Sequence, residues 1–133
     1  LGIDHFLIVD NDSTDGTAGL LGEQADVSLW HTANSYRQAR FGLDWMTWLQ
    51  MRYAHGHWCL MLDADELLVY DGYDRHDLHA LTALLDARAL GGFGALMLDL
   101  YPKGPLDRFH VAPDRDPIEV LRWFDPGPFR VSR

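Results

Sequence analysis

The chain has a single cysteine, Cys59, so it can form neither an internal disulfide nor a thiolate metal cluster, and a reducing compartment fits. Set in an apolar run, Cys59 reads as inert core. Basic residues are scarce. Eleven Lys plus Arg stand against 20 Asp plus Glu, a formal net charge of -9, which argues against a nucleic-acid backbone or an anionic membrane surface as the main partner. An anionic ligand needs a metal or a local arginine cluster here. No stretch approaches the length of a membrane span, and no basic-then-apolar leader opens the chain. A cytoplasmic setting is expected, with the inner membrane face as a peripheral one. Internal repeats, low-complexity tracts and a clear domain boundary are all missing. There is no initiator Met either: the chain opens on Leu1-Gly2-Ile3, almost inside a strand, and reads as a segment of a longer protein with an earlier strand outside it.

What the chain does have is apolar mass. Hydrophobic residues make up 47 % of its 133 positions, with five Trp, five Tyr and six Phe, enough for one domain with a core. Two apolar runs end in acidic clusters. His5-Phe6-Leu7-Ile8-Val9 leads into Asp10-Asn11-Asp12-Ser13-Thr14-Asp15-Gly16-Thr17, and Trp58-Cys59-Leu60-Met61-Leu62 leads into Asp63-Ala64-Asp65-Glu66. Short apolar runs that stop at turn-forming residues read as buried strands, and ligands of open α/β sheets gather at the carboxyl ends of such strands. One cleft lined by both strand ends is expected, with enough negative charge to need a cation.

The expected order is strand (Phe6 to Val9), short helix (Gly16 to Gln24), strand (Val27 to Trp30), long helix (Tyr36 to Tyr53) and strand (Trp58 to Leu62). A helix (Asp77 to Ala89) and a strand (Ala95 to Leu100) follow. This alternation predicts an α/β fold, a mostly parallel sheet with flanking helices. Ser13, Thr14 or Asp15 can cap the first helix and Asn34 or Ser35 the second, while Gly91-Gly92 ends the third. In the long helix Tyr36, Ala39, Leu43, Met46, Leu49 and Tyr53 form a core stripe flanked by Trp45 and Trp48. All six prolines fall after residue 101, so the tail is expected to be irregular, with one helical turn within Ile118 to Phe124. Residues 1–101 form the expected core of a single domain and 102–133 its tail.

Two carboxylates one residue apart beyond a strand can turn toward one hard divalent cation. Mg²⁺ or Mn²⁺ held that way completes its shell with water and phosphate oxygens. Asp63 and Asp65 therefore read as a diphosphate clamp, against the plainer reading of acidic residues that cap a turn.

Ile8-Val9-Asp10-Asn11-Asp12-Ser13-Thr14-Asp15-Gly16-Thr17, followed 48 positions after Asp15 by Asp63-Ala64-Asp65-Glu66, resembles the family 2 type of nucleotide-sugar-dependent glycosyltransferases. The subgroup it is most similar to is bacterial, with a strand ending in Asp-Asn-x-Ser-x-Asp and an Asp-x-Asp-Glu motif. The resemblance covers roughly Leu1 to Tyr101 and implies a GT-A fold, here incomplete at both ends. It implies a metal-dependent, hexosyltransferase-like enzyme that takes a nucleotide diphosphate sugar as donor and the hydroxyl of a carbohydrate or lipid-linked acceptor. A fragment of this extent is inactive alone if it holds only the donor half of the site. On the same resemblance Asp10 holds the nucleotide base, with Asn11 and Asp12 beside it. Asp63 and Asp65 bind Mn²⁺ or Mg²⁺, and Arg40 lies near the diphosphate. Phe41 stands where the family has Asn, and the family's later Glu-Asp-type base motif is absent. Glu66, behind the metal ligands, and Asp107 are the remaining candidates for catalytic work, and His110 for a late metal ligand.

Two other readings compete. Leu60-Met61-Leu62-Asp63-Ala64-Asp65 is also similar to the nucleophile motif of haloacid-dehalogenase-type phosphatases. That fold needs a later lysine, and the sole lysine is Lys103 in a Pro-Lys-Gly turn. A non-catalytic metal- or sugar-binding module is the other; a calcium loop counted from Asn11 has Gly16 at position six but Gly22 where a Glu is needed.

Overall fold

The computed structural model describes residues 1–105, 109, 110, 112, 115–125 and 127. It divides into two compact units, Leu1–Gly91 and Gly92–Arg133.

The first unit is built around a parallel pair of strands. β1 (Phe6–Asp10) and β2 (Val27–His31) lie in register from Phe6 beside Val27 to Asp10 beside His31, and the short helix α1 (Thr17–Gly22) makes the crossover. Parallel strands need such a crossover, and the aliphatic and aromatic residues of both segments suit a pleated, half-buried surface. The Thr32 amide donates to the Asp10 carbonyl at 2.9 Å, carrying the ladder one step past His31. The α/β character and the parallel pairing agree with the strand-helix alternation of the sequence. At the start of α1 the capping residue is Gly16 at φ 89°, with Asp15 receiving hydrogen bonds from the Thr17 amide and hydroxyl.

The helix expected from Tyr36 begins later. α2 spans Leu43–Tyr53 and is capped by Gly42 rather than by Asn34 or Ser35. Residues 40, 41 and 42 all lie in the left-handed region, at φ 50°, 57° and 81°, where a right-handed helix cannot continue. Aromatic packing accompanies this turn. The Tyr36 ring meets Phe41 edge-on at 5.8 Å and Trp45 at 6.1 Å. Of the predicted core stripe, Ala39 and Leu49 are buried, while Tyr36, Leu43 and Tyr53 are exposed; Tyr53 still packs on Trp30 of β2 at 5.2 Å and on Trp48 at 6.0 Å.

Helix α3 (Leu78–Ala87) starts at Asp77, whose carboxylate accepts from the Ala80 amide at 3.0 Å. It ends earlier than Gly91-Gly92 predicts. Ala89 takes the left-handed position at φ 54°, and the Leu90 amide returns to the Leu85 carbonyl at 2.9 Å. The chain start is fastened here, with the Leu78 amide donating to the Leu1 carbonyl and His79 Nε2 lying 3.2 Å from Asp4 Oδ1.

Trp58 to Leu62 is not a strand, nor is Ala95 to Leu100. Among the described residues only β1 and β2 form a ladder. An extended apolar run becomes a strand only where another backbone satisfies its N–H and C=O groups, and among the described residues no backbone pairs with this one; the Trp58 indole donates to Asp86 Oδ1 on α3 at 3.1 Å. Cys59 is accordingly exposed and not core. The core that results is small, with Ala39, Leu49 and Leu85 as the buried hydrophobic residues among those described.

In the second unit Tyr101 and Trp123 form an antiparallel bridge, the Tyr101 hydroxyl donates to Asp125 at 2.8 Å, and the Lys103 ammonium sits 5.2 Å above the Trp123 ring. The helical turn expected in the tail is α4 (Pro117–Val120), capped by Asp116.

The two capping glycines differ in their surroundings. A Cβ at Gly16 would meet nothing within 4 Å, whereas one at Gly42 would lie 2.9 Å from Tyr36 Cε2. Gly16→Ala is expected to destabilise by roughly 1–2 kcal/mol through backbone strain alone. Gly42→Ala should cost distinctly more in urea unfolding; equal losses would show that the Tyr36 ring yields freely.

Candidate functional site

The carboxyl end of the β1–β2 pair gathers the first acidic cluster. Asp10 is the last residue of β1 and only 4 % exposed. Its Oδ2 lies 2.9 Å from His31 Nδ1 and accepts from the Ser13 amide at 3.4 Å. Its Oδ1, also buried, has no hydrogen-bond partner among the described residues. Hydrogen bonding from Ser13, then from His31, holds the Asp10 carboxyl below the usual carboxylate range against the opposing push of burial. The site is thus charged at neutral pH and half satisfied.

The loop beyond β1 arranges itself around that carboxylate. The Asn11 side chain spends both hydrogens of its amide on backbone carbonyls, Thr32 at 2.8 Å and Asn34 at 3.1 Å, and so ties the loop after β1 to the loop after β2. Asp12, left-handed at φ 59°, places Oδ1 3.6 Å from His31 Nε2. Such a conformation suits a short polar side chain. Asp15 is occupied with Thr17, whose hydrogen bonds lower the Asp15 carboxyl from its ordinary value. Of the three residues named by the motif, Asp10 is buried at the strand end, Asn11 turns its amide to the loop after β2, and Asp12 lies beside His31.

His31 and the Ser13 amide are the participants that motif reading missed. The signal was the register. Pairing Phe6–Asp10 with Val27–His31 residue for residue sets the last side chains of the two strands side by side.

The second acidic cluster is a tight turn. The Glu66 amide donates to the Asp63 carbonyl at 3.1 Å, and Glu66 Oε2 accepts from the Asp63 amide at 3.0 Å. The first bond closes a backbone turn, and the second is the side-chain half of a capping box. The Glu66 carboxylate is therefore engaged in holding the turn, and the carboxylates of Asp63 and Asp65 are exposed. Among the described residues no hydrogen bond or ion pair joins this turn to the β1 end.

Arg40 is neither at a helix start nor free. Its guanidinium grips Asp44 Oδ1 through Nε at 2.7 Å and through a terminal nitrogen, and that contact raises the already high pKa of the arginine. Asp107 lies outside the described residues. His110 is exposed.

No family model matches the chain, and neither curated proteins nor solved structures show a match. No helix among the described residues is long and apolar enough to cross a membrane.

A divalent metal fits the turn by donor chemistry. No cluster of three or more His, Cys, Asp or Glu side chains is set to surround an ion among the described residues. Mg²⁺ and Mn²⁺ do not require one: one or two carboxylates from the protein suffice when phosphate and water supply the remaining oxygens. Asp63 and Asp65 match that requirement in type and number.

The lowered carboxyls of Asp10 and Asp15 link folding to pH. A carboxyl whose pKa falls on folding contributes stability that is present above its unfolded value and lost as pH drops through the folded value. Thermal stability is expected to decline from about pH 4 downward. Asp10→Asn should flatten that decline, as followed by circular dichroism. An unchanged acid limb would show that the hydrogen bonds to Asp10 are not retained in solution.

Proposed function

We propose that this chain is the donor-binding part of a family 2 type glycosyltransferase of GT-A architecture. Such an enzyme is metal-dependent and moves a hexosyl group from a nucleoside diphosphate sugar to a hydroxyl of a carbohydrate or lipid-linked acceptor. The supporting observation is Asp10: a carboxylate at the carboxyl end of a parallel strand, ionised, anchored through one oxygen and, among the described residues, unpartnered at the other. A buried acceptor without a donor is costly, and an N–H of a nucleotide base or a ribose hydroxyl supplies what Oδ1 lacks. The place agrees with where open α/β sheets collect ligands.

In this reading Asp10 receives the base, while Asn11 and Asp12 border it. Asp63 and Asp65 hold the cation. A bound Mn²⁺ or Mg²⁺ neutralises the charge that develops on the diphosphate. Arg40 joins the diphosphate by exchanging Asp44 for phosphate oxygens, since a guanidinium forks onto carboxylate and phosphate alike. The acceptor oxygen bonds to the anomeric carbon as the bond from that carbon to the diphosphate oxygen breaks. The electron pair leaves on the diphosphate, and the acceptor proton passes to a base. Glu66 is better suited to holding the Asp63 turn than to taking that proton, because its carboxylate already accepts from the Asp63 amide.

Nucleoside diphosphates screened with and without Mn²⁺ test this. A ligand that binds only the folded chain raises its melting temperature by mass action, by about 2.7 kcal/mol of apparent stability at a hundredfold excess over Kd. One nucleoside diphosphate should do so in a Mn²⁺-dependent way. Asp65→Asn should abolish that dependence and leave the ligand-free melting temperature unchanged. No response to any of them, together with a beryllofluoride-induced shift that Asp63→Asn removes, would overturn the transferase reading and favour a phosphatase.

A further inference from the structure

The ring of His31 stands between two carboxylates. Nδ1 lies 2.9 Å from Asp10 Oδ2 and Nε2 lies 3.6 Å from Asp12 Oδ1. An ionised carboxylate only accepts hydrogen bonds, and a neutral imidazole carries a single N–H. The 2.9 Å contact to Asp10 is satisfied only by a ring that carries its hydrogen at Nδ1. The charged groups around it are Asp10 from β1 and Asp12 and Asp15 from the loop that follows. α1, which packs on β2, has no titratable side chain in Thr17–Gly22.

The Asp10 carboxylate turns about a terminal sp³–sp² bond, whose torsion is broad and roughly two-fold. Its two oxygens are interchangeable unless something distinguishes them. His31 and the Ser13 amide do so: both take Oδ2, His31 at the shorter distance of 2.9 Å, and Oδ1 is left without a partner among the described residues.

We infer that His31 is a positioning residue of this site: its Nδ1–H, beside the Ser13 amide, fixes the Asp10 carboxylate by Oδ2 so that Oδ1 is the oxygen left for a ligand N–H or O–H. The identity of the ligand as a nucleoside diphosphate rests on the donor-binding reading above; the ring chemistry of His31 does not.

The experiment titrates UDP, GDP, CDP and ADP, each with Mn²⁺, into the 133-residue chain and its His31→Ala and His31→Asn variants by calorimetry. Asn retains a side-chain N–H donor close to the Nδ1 position. The nucleotide that binds the unaltered chain should bind His31→Ala about tenfold more weakly, the loss of one anchoring hydrogen bond, and His31→Asn should recover most of it. Unaltered affinity in His31→Ala, or an Asn variant as weak as the Ala one, overturns the inference. Nitrogen-15 NMR of the histidine rings supplies a readout independent of nucleotide. His31 Nδ1 is expected to carry a proton, and its resonance to move in Asp10→Asn; a bare Nδ1 overturns the inference. If none of the four nucleotides binds the unaltered chain, the donor-binding reading fails, and the ring measurement alone decides the role of His31.

Discussion

A carboxylate taken out of water has to be held, and the hydrogen bonds on Asp10 Oδ2 are what the carboxyl end of this sheet is arranged around. The pairing of β1 with β2 supplies one donor, because it brings His31 alongside. The turn after β1 supplies the other, because it folds the Ser13 amide back over the strand end. The His31 bond does not exist without the parallel register. The register, in turn, depends on a crossover short enough to be made by the six residues of α1 and a capping glycine that sends the chain in the right direction. The site sits at the carboxyl end of the one strand pair among the described residues.

Much of that strand pair was legible in the sequence. The run Phe6 to Val9 and its acidic sequel gave the strand and the turn, and the aliphatic segment from Val27 gave its partner, since both patterns are local. The failures came where local pattern depends on distant partners. Trp58 to Leu62 has strand composition but finds no ladder, and its indole turns to Asp86 on α3. Tyr36 to Gly42 has helical spacing but bends through three left-handed residues around an aromatic contact that spacing does not encode. At the site, the carboxylates were visible as a motif, while His31, which holds Asp10 by Oδ2, was hidden in a strand whose register only the fold defines.

The two acidic clusters solve opposite electrostatic problems. At the β1 end a carboxylate is buried, and hydrogen bonds offset the cost of its charge. At Asp63 to Glu66 the side chains remain in water, and the backbone is what is fixed: Glu66 secures the turn so that Asp63 and Asp65 project from a defined corner. Preorganisation therefore acts on a side chain in one case and on the main chain in the other. Arg40 follows a third pattern, in which an exposed cation just ahead of α2 is already occupied by Asp44 in the first turn of that helix.

Asn11 gives its loop a chemical lifetime. Both protons of its side-chain amide point at carbonyl oxygens, those of Thr32 and Asn34. Hydrolysis of that amide would replace the nitrogen with an anionic oxygen and set acceptor against acceptor at both contacts, turning a clasp between two loops into a wedge. Ageing of one side chain, with no change in the length of the chain and little in its mass, would be felt first as a loosening of the strand ends that hold Asp10.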